Sequence, residues 1–363
     1  MEEKFSILYS HYLLDGIQME STPAVILNEL CLQRALPVVD CGEQIVDETL
    51  DHCLDAIRLD VSGVNDYLGS LLPPGGELPL PFAGICTKCR VATALLDCIW
   101  RLGHFKLEDL SLYAEWTWNP DPVGSKAAFY YSVSNAAEYI DGLGLALSGY
   151  SCASTGAGCR VDFSVDLLPP DADAFATGPE PKMAFASIPS TFLPDPTSWV
   201  IYIPFETSDY RLGGSLLARS KGMSGGVELR LDDPDYFLDC YEVVRELVED
   251  GIVLAGATIS EGGLIAAADS MTSRRVGVEL SLSDLKHSTG EDDEVRLLFA
   301  EVPGVIVQIR DDDFDYLDAE LLLQDVAFYP IGHPVSGGGV KLTDAGASGL
   351  QNILQSLIHN TKI

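Results

Sequence analysis

Apolar positions recur at helical spacing over residues 86–102, where Val91, Ala94, Leu95, Cys98, Ile99 and Leu102 fall on one face. The spacing predicts a core-facing helix. The period then shortens to two: Leu110, Leu112, Ala114, Trp116 and Trp118 alternate with polar residues up to Asn119 and Pro120. That alternation predicts a half-buried strand. Helical texture returns over residues 127–143, with Gly142 or Gly144 placed to cap its end. Residues 145–158 read as a strand entering a loop of small residues. Upstream, residues 1–35 carry amphipathic helical texture with an apolar stretch from Ala24 to Leu32, and residues 36–41 form a short strand candidate.

The second half alternates strand and helix. Residues 199–204 read as a buried strand, and Asp232, Asp233 and Pro234 open a helix running to Val248. Residues 251–269 read as a strand, a tight polar turn and a helix that starts at Gly262 and Gly263. A strand follows at 276–282. A short helix then breaks at Pro303 and Gly304 into another strand, an acidic segment covers 311–320, and a last strand falls around 326–329. Pro and Gly crowd residues 71–81, which marks a loop. Residues 167–181, rich in Pro, Asp and Ala and without period, form the domain boundary, giving units of 1–180 and 181–363. Strands interleaved with helices predict a mixed α/β fold.

Charge narrows the partners. Lys and Arg number 22 against 55 Asp and Glu, a net charge of −33. Such a field repels phosphate backbones and excludes direct nucleic-acid binding, while suiting a basic protein partner. Most of this charge reads as solubilising surface. Nine cysteines, an odd count spread through apolar patterns, point to a reducing compartment and not to a secreted disulfide scaffold. The sequence offers no membrane span and no signal peptide.

Candidate chemistry concentrates at Ser260, Gly262 and Gly263. A Gly-Gly turn after a strand points backbone N–H groups at whatever lies above the helix start, and the helix dipole favours an anion there. The Ser151 to Ser154 run could also cradle a phosphate, but it lacks a Lys or an acidic residue for Mg²⁺. Cys86 and Cys89 form the sole Cys-x-x-Cys, at the start of a helical pattern with no second pair at zinc spacing, so no metal site is expected. Trp116 and Trp118 read as core.

The segments Leu212 to Ala218, the helix opened by Pro234, Ile259 to Leu264, Gly277 to Leu280 and Leu298 to Gly304 occur in one order. Together they resemble the carboxy-terminal half of a synthetase repeat of formylglycinamidine ribonucleotide synthetase (FGAM synthetase). The first half resembles the domain that precedes it, more loosely. The resemblance implies a PurM-like repeat, with an N-terminal barrel-forming α/β domain and a C-terminal α/β sandwich. It covers the second of that enzyme's two repeats and nothing of its amidotransferase.

The departures bear on function. The family's His-Asp-x-Ser-Asp-Gly-Gly-Leu stands here as Ala257, Thr258, Ile259, Ser260, Glu261, Gly262, Gly263 and Leu264. The family's Gly-Lys-Asp-Ser-Met-Ser loop falls near residues 149–154, with Tyr150 in place of the Lys. Glu301 survives, and it also reads as a structural cap. Phosphoryl transfer relies on positive charge and metal-held phosphates. The resemblance therefore implies a pseudo-enzyme with vestigial positions Ala257, Thr258, Glu261, Tyr150 and Glu301. No cofactor is expected, retained ATP, ADP or Mg²⁺ being the less favoured outcome. In character the chain is closest to the gammaherpesvirus tegument homologues of the enzyme. That resemblance implies a virion protein acting in the host nucleus and cytoplasm through protein contacts against intrinsic defence at PML bodies. The alternative is an ATP-dependent synthetase subunit or fragment in purine biosynthesis. An isolated repeat should leave the apolar strand face at 110–118 exposed, which predicts self-association or pairing with a related repeat.

Overall fold

Asp15 and Gly16, both at positive φ (51° and 78°), turn the chain sharply between two short strands. In the computed structural model, which describes residues 6–32, 42–101, 106–167, 188–207 and 209–343, this hairpin sits inside the stretch expected to be helical. Helix α1 (Ser6–Tyr9) leads into β1 (His11–Leu14) and β2 (Ile17–Gln18), and α2 (Pro23–Leu30) follows. The helical reading of residues 1–35 thus holds for α2 and fails before it, because Asp-Gly is itself a hairpin signal. The strand expected at 36–41 lies outside the described residues. Next come β3 (Gln44–Asp47), which joins β1 in parallel, and α3 (Val64–Gly69).

The first large layer follows. Helix α4 (Ala83–Arg101), strand β4 (Leu110–Trp118), helix α5 (Ser125–Gly142) and strands β5 (Leu147–Ser154) and β6 (Cys159–Leu167) form a three-stranded sheet, order β5-β4-β6, with helices on one face. Gly144, at φ 67°, follows the end of α5 as expected. Trp116 and Trp118 are fully buried against α5: their indole N–H groups donate to Ser132 Oγ (3.0 Å) and to the Ser125 carbonyl (2.9 Å). The expected exposure of the 110–118 apolar face therefore does not occur. The helices supply the cover that a second repeat was expected to give. The run from Ser151 to Ser154 continues β5 as strand, paired with Glu115 to Trp118, and the loop is confined to residues 155–158.

The proposed domain boundary falls largely on residues 168–187, outside the described residues. Beyond it, the described residues hold β7 (Trp199–Pro204), α6 (Leu216–Ser220), α7 (Pro234–Glu249), β8 (Val253–Ile259), α8 (Gly263–Ser270), β9 (Val276–Leu280), α9 (Ser283–Thr289), α10 (Glu294–Phe299), β10 (Gly304–Ile309), α11 (Phe314–Leu323), β11 (Tyr329–Ser336) and β12 (Val340–Leu342). Asp233 caps α7, accepting from the Tyr236 N–H, and Pro234 opens it as the sequence predicts. The acidic segment 311–320 is largely helical, and the last large strand begins at Tyr329, where the sequence reading had it end.

These strands build a six-stranded mixed sheet, order β12-β9-β11-β7-β10-β8. Every β7 and β10 residue except Trp199 is buried, so both faces of the sheet centre are covered. The polar side chain within this core, Gln308, is fully satisfied: it donates to Ser198 Oγ (2.7 Å) and the Leu193 carbonyl, and accepts from the Leu193 N–H. Trp100 of α4 reaches β8, where Gly256 leaves room for its ring; a Cβ there would stand 2.6 Å from Trp100 Cη2. One apolar core runs through both sheets, and it brings α4 beside the turn after β8.

Candidate anion turn

Strand β8 delivers Ser260, Glu261 and Gly262 into the turn that opens α8. Gly262 and Gly263 both take positive φ (94° and 73°), and the Gly263 N–H closes the turn on the Ser260 carbonyl (2.9 Å). The turn after the buried strand thus has the geometry read from the sequence. What lies in front of it differs from an open anion site. The Gly262 N–H donates to Glu301 Oε1 (2.9 Å). The Leu216 N–H, at the head of α6, donates to the same oxygen (2.7 Å). Glu301 therefore supplies from within the chain the acceptor oxygen that the amides of two helix starts require.

Glu261 is held as firmly. Its Oε1 accepts from Arg90 Nη2 of α4 (2.9 Å) and lies 3.2 Å from Arg219 Nη2 of α6, while Oε2 accepts the Gly75 N–H (2.7 Å). All three side chains are largely buried. Each arginine also grips main chain: Arg90 donates to the Gly76 and Val161 carbonyls, and Arg219 to the Glu77 carbonyl. Glu261 is thereby the knot that fastens the Pro-Gly loop, α4 and α6 around the turn.

The electrostatics follow from enclosure. Burial, opposed by the two amide donors and reinforced by the Glu261 charge, pushes the Glu301 carboxyl up to about 7. Burial also pushes the Cys86 thiol up to about 12 and raises Cys89 well above its usual range. These thiols, directed at the Gly214 and Glu301 carbonyls, are protonated packing groups and not nucleophiles. Among the described residues no group of three or more His, Cys, Asp or Glu gathers where a metal ion could be held. No helix among them is long and apolar enough to cross a membrane.

The remaining sequence candidates scatter. Ala257 and Thr258 lie in β8, paired with Ile306 and Val305, and Thr258 Oγ1 accepts the Trp100 indole N–H (2.9 Å). Tyr150 lies in β5 and donates to Asn28 Oδ1 (3.1 Å). Burial raises the pKa of its half-buried hydroxyl, and the titratable neighbours that add to this, Tyr9, Cys152 and Cys31, lie outside the turn. The structure thus joins Glu261, Gly262, Gly263 and Glu301, and leaves Tyr150 elsewhere. Sequence reasoning missed Arg90, Arg219 and Gly75. Each arginine reads as one charge on a helical stretch, and only the fold brings residues 75, 90, 219 and 261 together.

Nucleotide phosphates, the less favoured outcome of the sequence resemblance, do not fit this arrangement. The amides at both helix heads are taken by Glu301, and both arginines by Glu261. A phosphate would meet two carboxylates where it needs free donors.

Residues 206–345 match the family described as AIR synthase related protein, C-terminal domain, so the α/β half that carries the turn is of the AIR synthase type. Over 230 residues the chain is 23% identical to phosphoribosylformylglycinamidine synthase of Homo sapiens, covering 63% of this chain and 17% of that protein. It is 26% identical over 247 residues to a probable chloroplastic/mitochondrial phosphoribosylformylglycinamidine synthase of Arabidopsis thaliana, covering 68% and 17%. With the enzyme of Drosophila melanogaster it shares 24% identity over 331 residues, covering 81% and 24%. The chain is related to the FGAM synthetase family, and it spans less than a quarter of these relatives' length. Among solved structures, T. maritima PurL complexed with FGAR superposes with a TM-score of 0.54 at 11% identity, over 78% of this chain and 48% of that one. PurLQS from Thermotoga maritima gives 0.50 at 11%, over 80% and 47%. At such identity these likenesses speak for the fold alone.

Proposed function

We propose that this chain is a catalytically silent relative of FGAM synthetase that acts through contacts with other proteins. One observation carries the reading: the chain's own carboxylates, Glu301 and Glu261, fill the positions from which a phosphate would be bound. Catalysis of phosphoryl transfer needs donors aimed at the transferring group. Here those donors are spent on the fold. The net charge of −33 favours basic partner surfaces and disfavours nucleic acid.

The proposal extends to a tegument protein of the gammaherpesvirus kind, working in the host nucleus and cytoplasm against intrinsic defence at PML bodies. Support for that extension is the sequence resemblance: a kept framework with Ala257, Thr258 and Tyr150 at positions where the enzyme family carries its chemistry. The two halves at 1–180 and 181–363 belong to the same proposal.

Thermal melting with ATP, ADP and a non-hydrolysable ATP analogue, each with and without Mg²⁺, tests the silence. The expected result is no nucleotide-dependent shift and no FGAM formed from FGAR, ammonia and ATP. A saturable rise in Tm, or product formation, would overturn the reading in favour of a synthetase subunit.

A further inference from the structure

Count the donors around Glu261. Arg90 Nη2, Arg219 Nη2 and the Gly75 N–H converge on its two oxygens, and Oε1 alone serves both guanidinium groups. Arg219 Nε is buried beside them with no hydrogen-bond partner. A buried donor left unpaired is costly, and a carboxylate has no third oxygen to offer it. The donor set exceeds its ligand. Four N–H groups and two positive charges, in a largely buried setting, suit a tetrahedral oxyanion better than a planar carboxylate.

The site also has an approach. A cavity of about 690 Å³ lies between the loop at residues 72–82 and α6, and Gly75, Gly76, Glu77 and Arg219 are part of its wall. An anion entering that cavity meets the same loop and the same arginine that hold Glu261.

We propose that Arg90, Arg219 and the Gly75 amide form an oxyanion-binding site that the chain closes with its own Glu261 side chain. Glu261 is a permanent internal ligand, and a phosphate or sulfate takes its place once the carboxylate is gone. This deepens the functional reading above and rests on it, since it explains why the wild-type turn rejects phosphate while keeping the means to bind it.

Three proteins test the proposal, each melted in rising inorganic phosphate against chloride at matched ionic strength, with titration calorimetry as a second reading. Glu261→Ala empties the space and leaves two arginines without their counter-charge, so its Tm should fall and then recover saturably with phosphate. Glu261→Gln removes the charge but keeps the volume, so it should be destabilised without recovery. The wild type should not respond. Adding Arg219→Ala to Glu261→Ala should weaken phosphate binding by about tenfold or more, the loss of a charged donor. If Glu261→Ala is insoluble alone, phosphate in the refolding buffer should raise its soluble yield above that in chloride.

A folded Glu261→Ala protein indifferent to phosphate, an equal response from Glu261→Gln, or a refolding yield unmoved by phosphate overturns the proposal. Each of these leaves the functional reading standing. That reading falls on a different result, the response of the wild type to nucleotide.

Discussion

Glu301 accepts two backbone N–H groups, which by themselves would hold its carboxyl ionised, yet enclosure wins and raises it from near 4.5 to about 7. Between those values the folded chain holds a proton that the unfolded chain has released. The folded state therefore binds more protons, and this group's contribution to stability falls as pH rises from about 4.5 through about 7. The expected loss is on the order of 3 kcal/mol. Glu301→Gln keeps the accepting oxygen and discards the titration, so urea unfolding of the variant should show a smaller decline between pH 5 and 8. Glu206 and Glu228 are also raised by burial and remain in the variant, so the decline should shrink without vanishing. An unchanged slope would remove Glu301 from the account. At this scale the sequence showed the wrong-signed Glu261 and a capping Glu301. It could not show that two arginines, from helices 129 positions apart in the chain, would answer the misplaced charge.

Among the elements, the turn into α8 tolerates little change. A Cβ on Gly263 would lie 2.7 Å from the Leu298 carbonyl oxygen, on a backbone at φ 73°. Gly263→Ala should therefore cost about 2 kcal/mol or more in chemical denaturation, by strain and overpacking together. A variant as stable as wild type would mean that the turn is not built as described. The sequence made β7, β8, α4, α7 and this turn legible because each has a clean period bounded by Gly, Pro or Asp. It hid α11, whose Phe314, Leu317 and Leu321 keep helical spacing beneath a run of aspartates. It also hid the strand character of Ser151 to Ser154, which small residues disguise as loop and pairing to β4 decides.

For the whole molecule, self-association remains the expectation, on different ground. The Trp face of β4 is covered, but among the described residues β6 pairs on one side only, with β4. It presents Phe163 and Val165 half-buried and Leu167 exposed. Arg90 and the Leu78 N–H take the Val161 and Cys159 carbonyls, but the stretch from Phe163 to Leu167 keeps an apolar row as a template for another strand. With a net charge of −33, repulsion between copies should weaken that pairing at low salt. Sedimentation velocity should show association growing with protein concentration and with ionic strength. A monomer at every concentration and salt level would count against the open edge as an interface. The charge was plain from composition; which strand lacks a neighbour depends on the order β5-β4-β6, which local pattern does not encode.

The place of β7 has a consequence for synthesis. Tyr202 pairs with Ile306 on one side and Tyr329 on the other, so both neighbours of this strand are made long after it. At ribosomal rates the apolar run from Trp199 to Pro204 waits on the order of ten seconds without either partner. Distant pairings of this kind close slowly, because loop entropy is lost before any contact is gained. The nascent chain should therefore lean on chaperones until β11 emerges, and release before that point leaves the centre of the sheet as an adhesive edge.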